Sequence, residues 1–127
     1  MILATFAFIA YTKYLAEKLN TMQIQNIFIH HVFFWLKDPN SKEDLEALTK
    51  GLEKLSSAKT IRQFHIGKPA GTSRSVIDAS YAVSWCLFFD NAEDQDSYQV
   101  DPIHLNFVKE CSHLWSKVIV YDSIDCK

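Results

Sequence analysis

Histidine is the side chain in this sequence best suited to chemistry near neutral pH, because a neutral imidazole can act as a general base there. His30 and His31 are adjacent inside an apolar run, and His104 lies in a later stretch with helical character. Neighbouring residues of a strand point to opposite faces, so only one of the adjacent pair can enter a given pocket. His65 and His113 have no partner at metal-ligand spacing, and neither HxxxH nor HExxH occurs. We therefore expect no metal site.

The cysteines add no second chemistry. Cys86, Cys111 and Cys126 form no CxxC pair, and an odd number cannot all be joined within one chain. Such a widely spaced set is typical of reduced thiols in a cytoplasmic protein. Cys86 lies in an apolar run, where a cysteine usually acts as a small buried hydrophobe.

The composition predicts one ordinary globular domain with an excess of aromatic residues. The chain has 127 residues, of which 48% are hydrophobic, 22% charged and 13% aromatic. This excludes a disordered or low-complexity chain, and the length is enough for one hydrophobic core. The net charge of −2 leaves no basic surplus for a phosphate backbone, so we expect no nucleic-acid partner.

Residues 1–26 form a predicted N-terminal extension. Met1 to Thr12 are uncharged and apolar, but the run is shorter than the roughly 20 residues of a membrane span. It also lacks a clear basic flank and cleavage site, so it does not fit a signal peptide, and a membrane partner is not expected. Three interpretations stay open: a helix docked on the domain, a membrane-surface segment, or residues translated ahead of a true start at Met22.

Hydrophobic periodicity predicts the elements that must position these side chains. Apolar or alternating runs indicate strands at 27–36, 61–67, 81–89 and 117–124. Ser41 is a candidate N-cap for a helix whose apolar stripe consists of Leu45, Leu48, Leu52 and Leu55. Asp90 or Asn91 can cap a short acidic helix, and Asp101-Pro102 is a helix start that places His104 in a first turn. The segment between the second and third strands is a long loop.

This order predicts an α+β fold of the ferredoxin-like βαββαβ type, a four-stranded antiparallel sheet with its helices on one face. The first and third strands carry large apolar residues on both faces: Phe33, Phe34, Trp35, Trp85, Phe88 and Phe89. Helices cover only one face, and an exposed aromatic patch normally marks an interface. We therefore expect a homodimer whose open sheet faces pack together into a dimeric α/β barrel.

Three segments resemble the Dabb family, the stress-responsive dimeric α/β barrel domains: HHVFFWLK at 30–37, SYQVDPIHLNFV at 97–108 and KVIVYDS at 117–123. The resemblance covers residues 27–124, which leaves 125–127 as a tail. It implies a homodimeric ferredoxin-like barrel. Family members include stress proteins of unsettled biochemistry and plant polyketide cyclases such as olivetolic acid cyclase.

The resemblance to the cyclases also implies site residues. Tyr98 and His104, six residues apart, match the catalytic Tyr and His, and we expect them to be the catalytic pair. His31 matches the histidine of the first strand and Asp122 the aspartate of the last. Together with Trp85 they are the expected ligand-binding residues. The step DPIH replaces HPAH of the cyclase, so acidic Asp101 stands where the cyclase has a second histidine.

Three functions follow from these observations. The first is a homodimeric Dabb protein that binds a small apolar or aromatic ligand between helix and sheet, without a cofactor. The second is a cofactor-independent cyclase, lyase or isomerase with His104 as general base. The third is a non-enzymatic stress-response or assembly protein, in which His104 only caps a helix and supports the fold.

Overall fold

A computed structural model describes residues 2–127, and of residues 18–20 it describes only the backbone. The elements in chain order are α1 (Ile2–Asn20), β1 (Phe28–Leu36), α2 (Lys42–Leu55), β2 (Gln63–Gly67), β3 (Val83–Phe89), α3 (Ala92–Val100), α4 (Pro102–Cys111) and β4 (Trp115–Ile124). A short 3-10 helix at 112–114 joins α4 to β4. The last strand begins two residues earlier than its sequence pattern indicates.

The strands form one antiparallel sheet in the order β2-β3-β1-β4. β1 is central, and along it buried residues alternate with half-buried ones. Residues 30, 32, 34 and 36 face the helices, whereas residues 29, 31, 33 and 35 face the other side, called the open face below. The predicted ferredoxin-like α+β fold is confirmed.

Each helix of the domain begins where a side chain satisfies a free backbone N–H group. Ser41 Oγ accepts a hydrogen bond from the backbone N–H of Asp44 at 3.1 Å, and Asn91 caps α3 in the same way. Asp101 Oδ1 accepts from the backbone N–H of Ile103 at 3.0 Å. A side-chain cap is worth about 1 kcal/mol, so these short polar residues fix where the helices start.

The core lies between the sheet and α2, α3 and α4. Its largest fully buried side chains are Trp85, Tyr98, Phe89, Leu48, Leu52, Leu55, Leu87 and Val83. The predicted leucine stripe of α2 is buried except at Leu45, which is 38% exposed because it lies at the margin of the layer. A Cβ atom at Gly51 would lie 2.6 Å from Cys111 Sγ, so glycine allows α2 and α4 to pack closely.

Helix α1 lies outside this core. All side chains of residues 2–17 are exposed, including Phe6, Phe8 and Tyr11. A helix docked on the domain would bury one of its faces there. The exposed side chains of residues 2–17 show that α1 buries no such face. Among the residues described, no helix is both long and apolar enough to cross a membrane. The division into an extension, a domain and a tail remains a prediction.

Candidate functional site

A cavity of about 150 Å³ lies between the sheet and the pair α3 and α4, and we call it the helix–sheet pocket. The residues that line it are His30, Val32, Phe34, Trp85, Tyr98, Gln99, His104, Phe107, Val108, Trp115, Val118 and Val120. Most of these are apolar, and the polar groups among them are two imidazoles, a phenol and an amide. A mostly apolar cavity with a few convergent polar groups is the usual form of a small-molecule site.

The break between α3 and α4 brings Tyr98 and His104 together. Tyr98 is in the last turn of α3, and His104 is in the first turn of α4. Asp101 between them is extended, with ψ of 132°, and Pro102 follows as the first residue of α4. As a result the two rings lie 4.6 Å apart, centroid to centroid, at an angle of 52°.

The hydrogen bonding and burial of His104 favour a neutral imidazole that can act as a base. Its Nδ1 lies 3.1 Å from the carbonyl oxygen of Gln99. A carbonyl can only accept, so Nδ1–H donates this bond and Nε2 keeps its lone pair in the neutral ring. Burial lowers the pKa of His104, and the nearby His30 acts in the same direction, while the bond to Gln99 opposes them. The ring is therefore predominantly uncharged at pH 7.

The surroundings of Tyr98 leave its hydroxyl group able to donate a hydrogen bond. The residue is 1% exposed, and Trp85 Nε1–H donates to its hydroxyl oxygen at 3.2 Å. Burial raises the pKa of Tyr98 to about 12. The phenol therefore stays protonated across the physiological range, and its own O–H remains available to a ligand.

The lining residue His30 forms a pair with Asp122, which lies outside the lining of the pocket. His30 Nδ1 and Asp122 Oδ1 are 2.6 Å apart, and the two residues face each other across β1 and β4. Because an ionised carboxylate only accepts, the imidazole donates from Nδ1, and this fixes the orientation of its ring. The imidazole is buried, whereas Asp122 is partly exposed, so the pair reaches from the pocket wall towards solvent.

His31 is not in the helix–sheet pocket, and its expected place there is wrong. Its ring lies on the open face, 4.3 Å from the ring of Phe33 by centroids. The pleat of β1 turns His30 towards the helices and His31 away from them. Burial is the main cause that lowers the pKa of His31, with the neighbouring His65 acting in the same direction. Of the other expected site residues, Tyr98, His104 and Trp85 line the pocket, and Asp122 contacts the lining residue His30 without lining the pocket itself.

The rest of the described chain contains a larger cavity and no metal-binding cluster. A larger cavity of about 530 Å³ lies between residues 57–60 and 97–103, but its lining contains no histidine or tyrosine. Within residues 2–127, no three His, Cys, Asp or Glu side chains are grouped as a metal ion would require. The Tyr98–His104 pair therefore lies in the helix–sheet pocket and not in the larger cavity.

Comparison with known proteins agrees with the fold. A family model for the stress responsive A/B barrel domain matches residues 28–125. Among solved structures, a protein from Arabidopsis thaliana has 26% identity, a TM-score of 0.67 and coverage of 79% of this chain and 96% of its own. A hydroxynitrile lyase from Passiflora edulis has 19% identity, a TM-score of 0.69 and coverage of 82% and 97%.

A dimeric ferredoxin-like protein of unknown function from Bacteroides fragilis has 18% identity, a TM-score of 0.62 and coverage of 81% and 100%. A search of curated proteins gave no match. The family model covers most of the chain and every strand of the sheet. The chain belongs to the Dabb family of stress-responsive A/B barrel domains.

Proposed function

We propose that this chain is a homodimer that binds a small apolar or aromatic carbonyl compound in the helix–sheet pocket. The observation that carries the proposal is the pairing, in one apolar cavity, of the protonated hydroxyl of Tyr98 with the neutral imidazole of His104. A donor of this kind can hold a carbonyl oxygen. The apolar walls bind the rest of the ligand through the hydrophobic effect.

The wall of the pocket formed by β4 supports ligand access. Val118 and Val120 line the cavity from the helix-facing side of β4, yet they are 37% and 45% exposed. The helices therefore do not cover this edge of the sheet, and a ligand can enter here without unfolding of the core.

The open face supports the dimer. It carries half-buried aromatic side chains from two adjacent strands, such as Phe33, Trp35 and Phe88, and none of the helices in the described part of the chain covers them. A contiguous apolar face of this kind normally marks a protein interface. Several of the similar solved structures are described as dimeric.

Sedimentation velocity at micromolar concentration tests the dimer. We expect twice the chain mass of 14.6 kDa, and we expect Phe33→Asp to give the monomer mass because it places a charge in the interface. Val76→Asp is the matched control, since Val76 is 86% exposed on a loop. A clean monomer for the unmodified chain contradicts the proposed assembly.

Thermal shift over a panel of aromatic and polyketide-like carbonyl compounds tests the ligand site. We expect compounds that stabilise the unmodified chain to lose most of their effect in His104→Ala and Tyr98→Phe. The control is His113→Ala, which changes an exposed histidine away from the pocket. Equal shifts in all variants contradict the site.

An enzymatic role is the second candidate, and the lone pair on His104 Nε2 favours it. In a cofactor-independent lyase, cyclase or isomerase, Nε2 takes a proton from the carbon next to a carbonyl. The two electrons of the broken C–H bond then form a double bond to the carbonyl carbon, and the negative charge that develops on the carbonyl oxygen is stabilised by a hydrogen bond from Tyr98 O–H. NMR in D₂O tests this step, because deuterium enters that carbon only if the proton is removed. Binding without exchange favours a non-enzymatic stress-response role.

A further inference from the structure

A second cavity, of about 150 Å³, lies on the open face, where β1 ends and β4 begins. We call it the Trp35 cage, and its lining residues are Phe33, Trp35, Asp78, Tyr81, Ile119 and Tyr121. The ring of Tyr81 meets those of Phe33 and Trp35 edge-on, at centroid distances of 5.0 and 6.4 Å. The cavity is thus walled by four aromatic rings and contains one carboxylate.

A chain of hydrogen bonds holds the cage in shape. Trp35 Nε1–H donates to Ser80 Oγ at 3.0 Å, and Ser80 Oγ–H donates to Asp78 Oδ1 at 2.5 Å. The backbone N–H of Ser80 donates to the same carboxylate oxygen at 2.9 Å. At the end of the loop, the N–H of Ala82 donates to the carbonyl of Phe34 on β1. The loop before β3 is therefore fixed against the indole, and the cage is formed before any ligand binds.

The charges in the cage favour a cation. The hydrogen bonds from Ser80 lower the pKa of Asp78, with Lys117 acting in the same direction, so the carboxylate is ionised at neutral pH. Among the residues described, Asp78 forms no ion pair. One cation already lies against the indole: Lys117 Nζ is 4.5 Å from the centroid of the Trp35 ring.

We propose that the Trp35 cage binds a small organic cation of the quaternary ammonium class. Aromatic faces attract such cations through the ring quadrupole, and the carboxylate supplies the opposite charge. One chain provides all the lining residues, but Phe33 and Trp35 also belong to the open face of the proposed dimer, so the proposal requires that the dimer leaves the ends of β1 and β4 accessible. Its position at the ends of β1 and β4 places it at the rim of the open face, where the mouth of a barrel would lie.

Isothermal titration of the full chain with choline tests this proposal, with 3,3-dimethyl-1-butanol as the neutral isostere and sodium chloride balancing ionic strength. We expect saturable choline binding with a Kd of about 1 mM, and at least about fivefold weaker binding of the alcohol. Saturation absent up to about 50 mM, or equal affinity for both compounds, overturns the proposal.

Two substitutions with opposite expected effects locate the binding. Asp78→Asn keeps an acceptor for Ser80 but removes the charge, so choline binding weakens by about threefold or more. Lys117→Gln removes a competing positive charge, so choline binding tightens by about twofold or more. Asp96→Asn, at an exposed position of α3, is the matched control with unchanged affinity. Changes of the same sign in the first two variants, or an equal change in the control, contradict the assignment.

Discussion

Tyr98→Phe is the substitution that tests the hydrogen bonding of the helix–sheet pocket most closely. It removes one hydroxyl group and leaves the aromatic ring in place. In the unmodified chain that hydroxyl accepts from Trp85 Nε1–H at 3.2 Å, and both residues are 1% exposed. The substitution therefore changes hydrogen bonding and barely changes apolar packing.

The magnitude follows from the group that is left behind. After the substitution, the indole N–H of Trp85 has no acceptor from Tyr98 and little access to water. A buried donor left unsatisfied costs about 1–3 kcal/mol of unfolding free energy. For a chain of this length, 1 kcal/mol corresponds to about 3–6 °C in Tm. We therefore expect Tm to fall by at least about 3 °C.

Urea unfolding and thermal denaturation at one fixed protein concentration measure this change, because the stability of a dimer depends on concentration. The matched control is Tyr11→Phe on α1, where the side chain is 60% exposed and a change within about 0.5 kcal/mol is expected. If Tyr98→Phe changes the unfolding free energy no more than the control does, the Trp85–Tyr98 hydrogen bond does not stabilise the pocket.

Three other predictions concern the extension, the paired carboxylate and pH. A chain beginning at Met22 should unfold within about 1 kcal/mol of the full chain in urea, because α1 exposes its described side chains; a larger loss contradicts this. Asp122→Ala should lower the unfolding free energy by about 1–3 kcal/mol, since buried His30 loses its acceptor, and Asp96→Ala is the exposed control. Burial lowers the pKa of His104 and of His31, so the unfolded chain binds more protons as pH falls through about 6.5. The contribution of the two histidines to the unfolding free energy should therefore be fully present above that pH and be lost below it. A series of Tm values from about pH 8 to pH 5 measures this loss, and we expect His104→Gln to make it smaller. If the variant loses as much Tm with falling pH as the unmodified chain, His104 is not one of the responsible groups.

The fold was predictable from the sequence because its signals are local. Ser41 and Asp101 precede apolar periodic segments and do cap helices. The alternation of Val83, Trp85 and Leu87 with smaller or half-buried residues matches the burial along β3. Such signals depend on neighbouring residues and need no knowledge of the tertiary structure.

The choice between His30 and His31 was not predictable in this way. β1 is one of the two inner strands of the sheet, and one of its faces packs against helices while the other belongs to the apolar open face. Both sets of alternate residues are therefore hydrophobic, and the periodicity that marks a buried face is lost. The deciding contact joins His30 to Asp122 on β4, 92 residues further along the chain. Only the strand register reveals that pairing.

The Trp35 cage escaped sequence analysis for a related reason. Its rings come from β1, from β4 and from the end of the loop before β3, and no spacing in the sequence links them. Asp78 and Ser80 resemble ordinary loop residues until the hydrogen bond from Trp35 joins them to the sheet. Long-range side-chain contacts of this kind determine a site without leaving a local pattern.

Imidazole ¹⁵N NMR during titration tests the central claim most directly, using the most stabilising compound from the carbonyl panel. The nitrogens of His30 and His104 should shift in proportion to occupancy, while those of His31 and His65 on the open face stay constant. Shifts of His31 with no change at His30 and His104 would contradict ligand binding in the helix–sheet pocket.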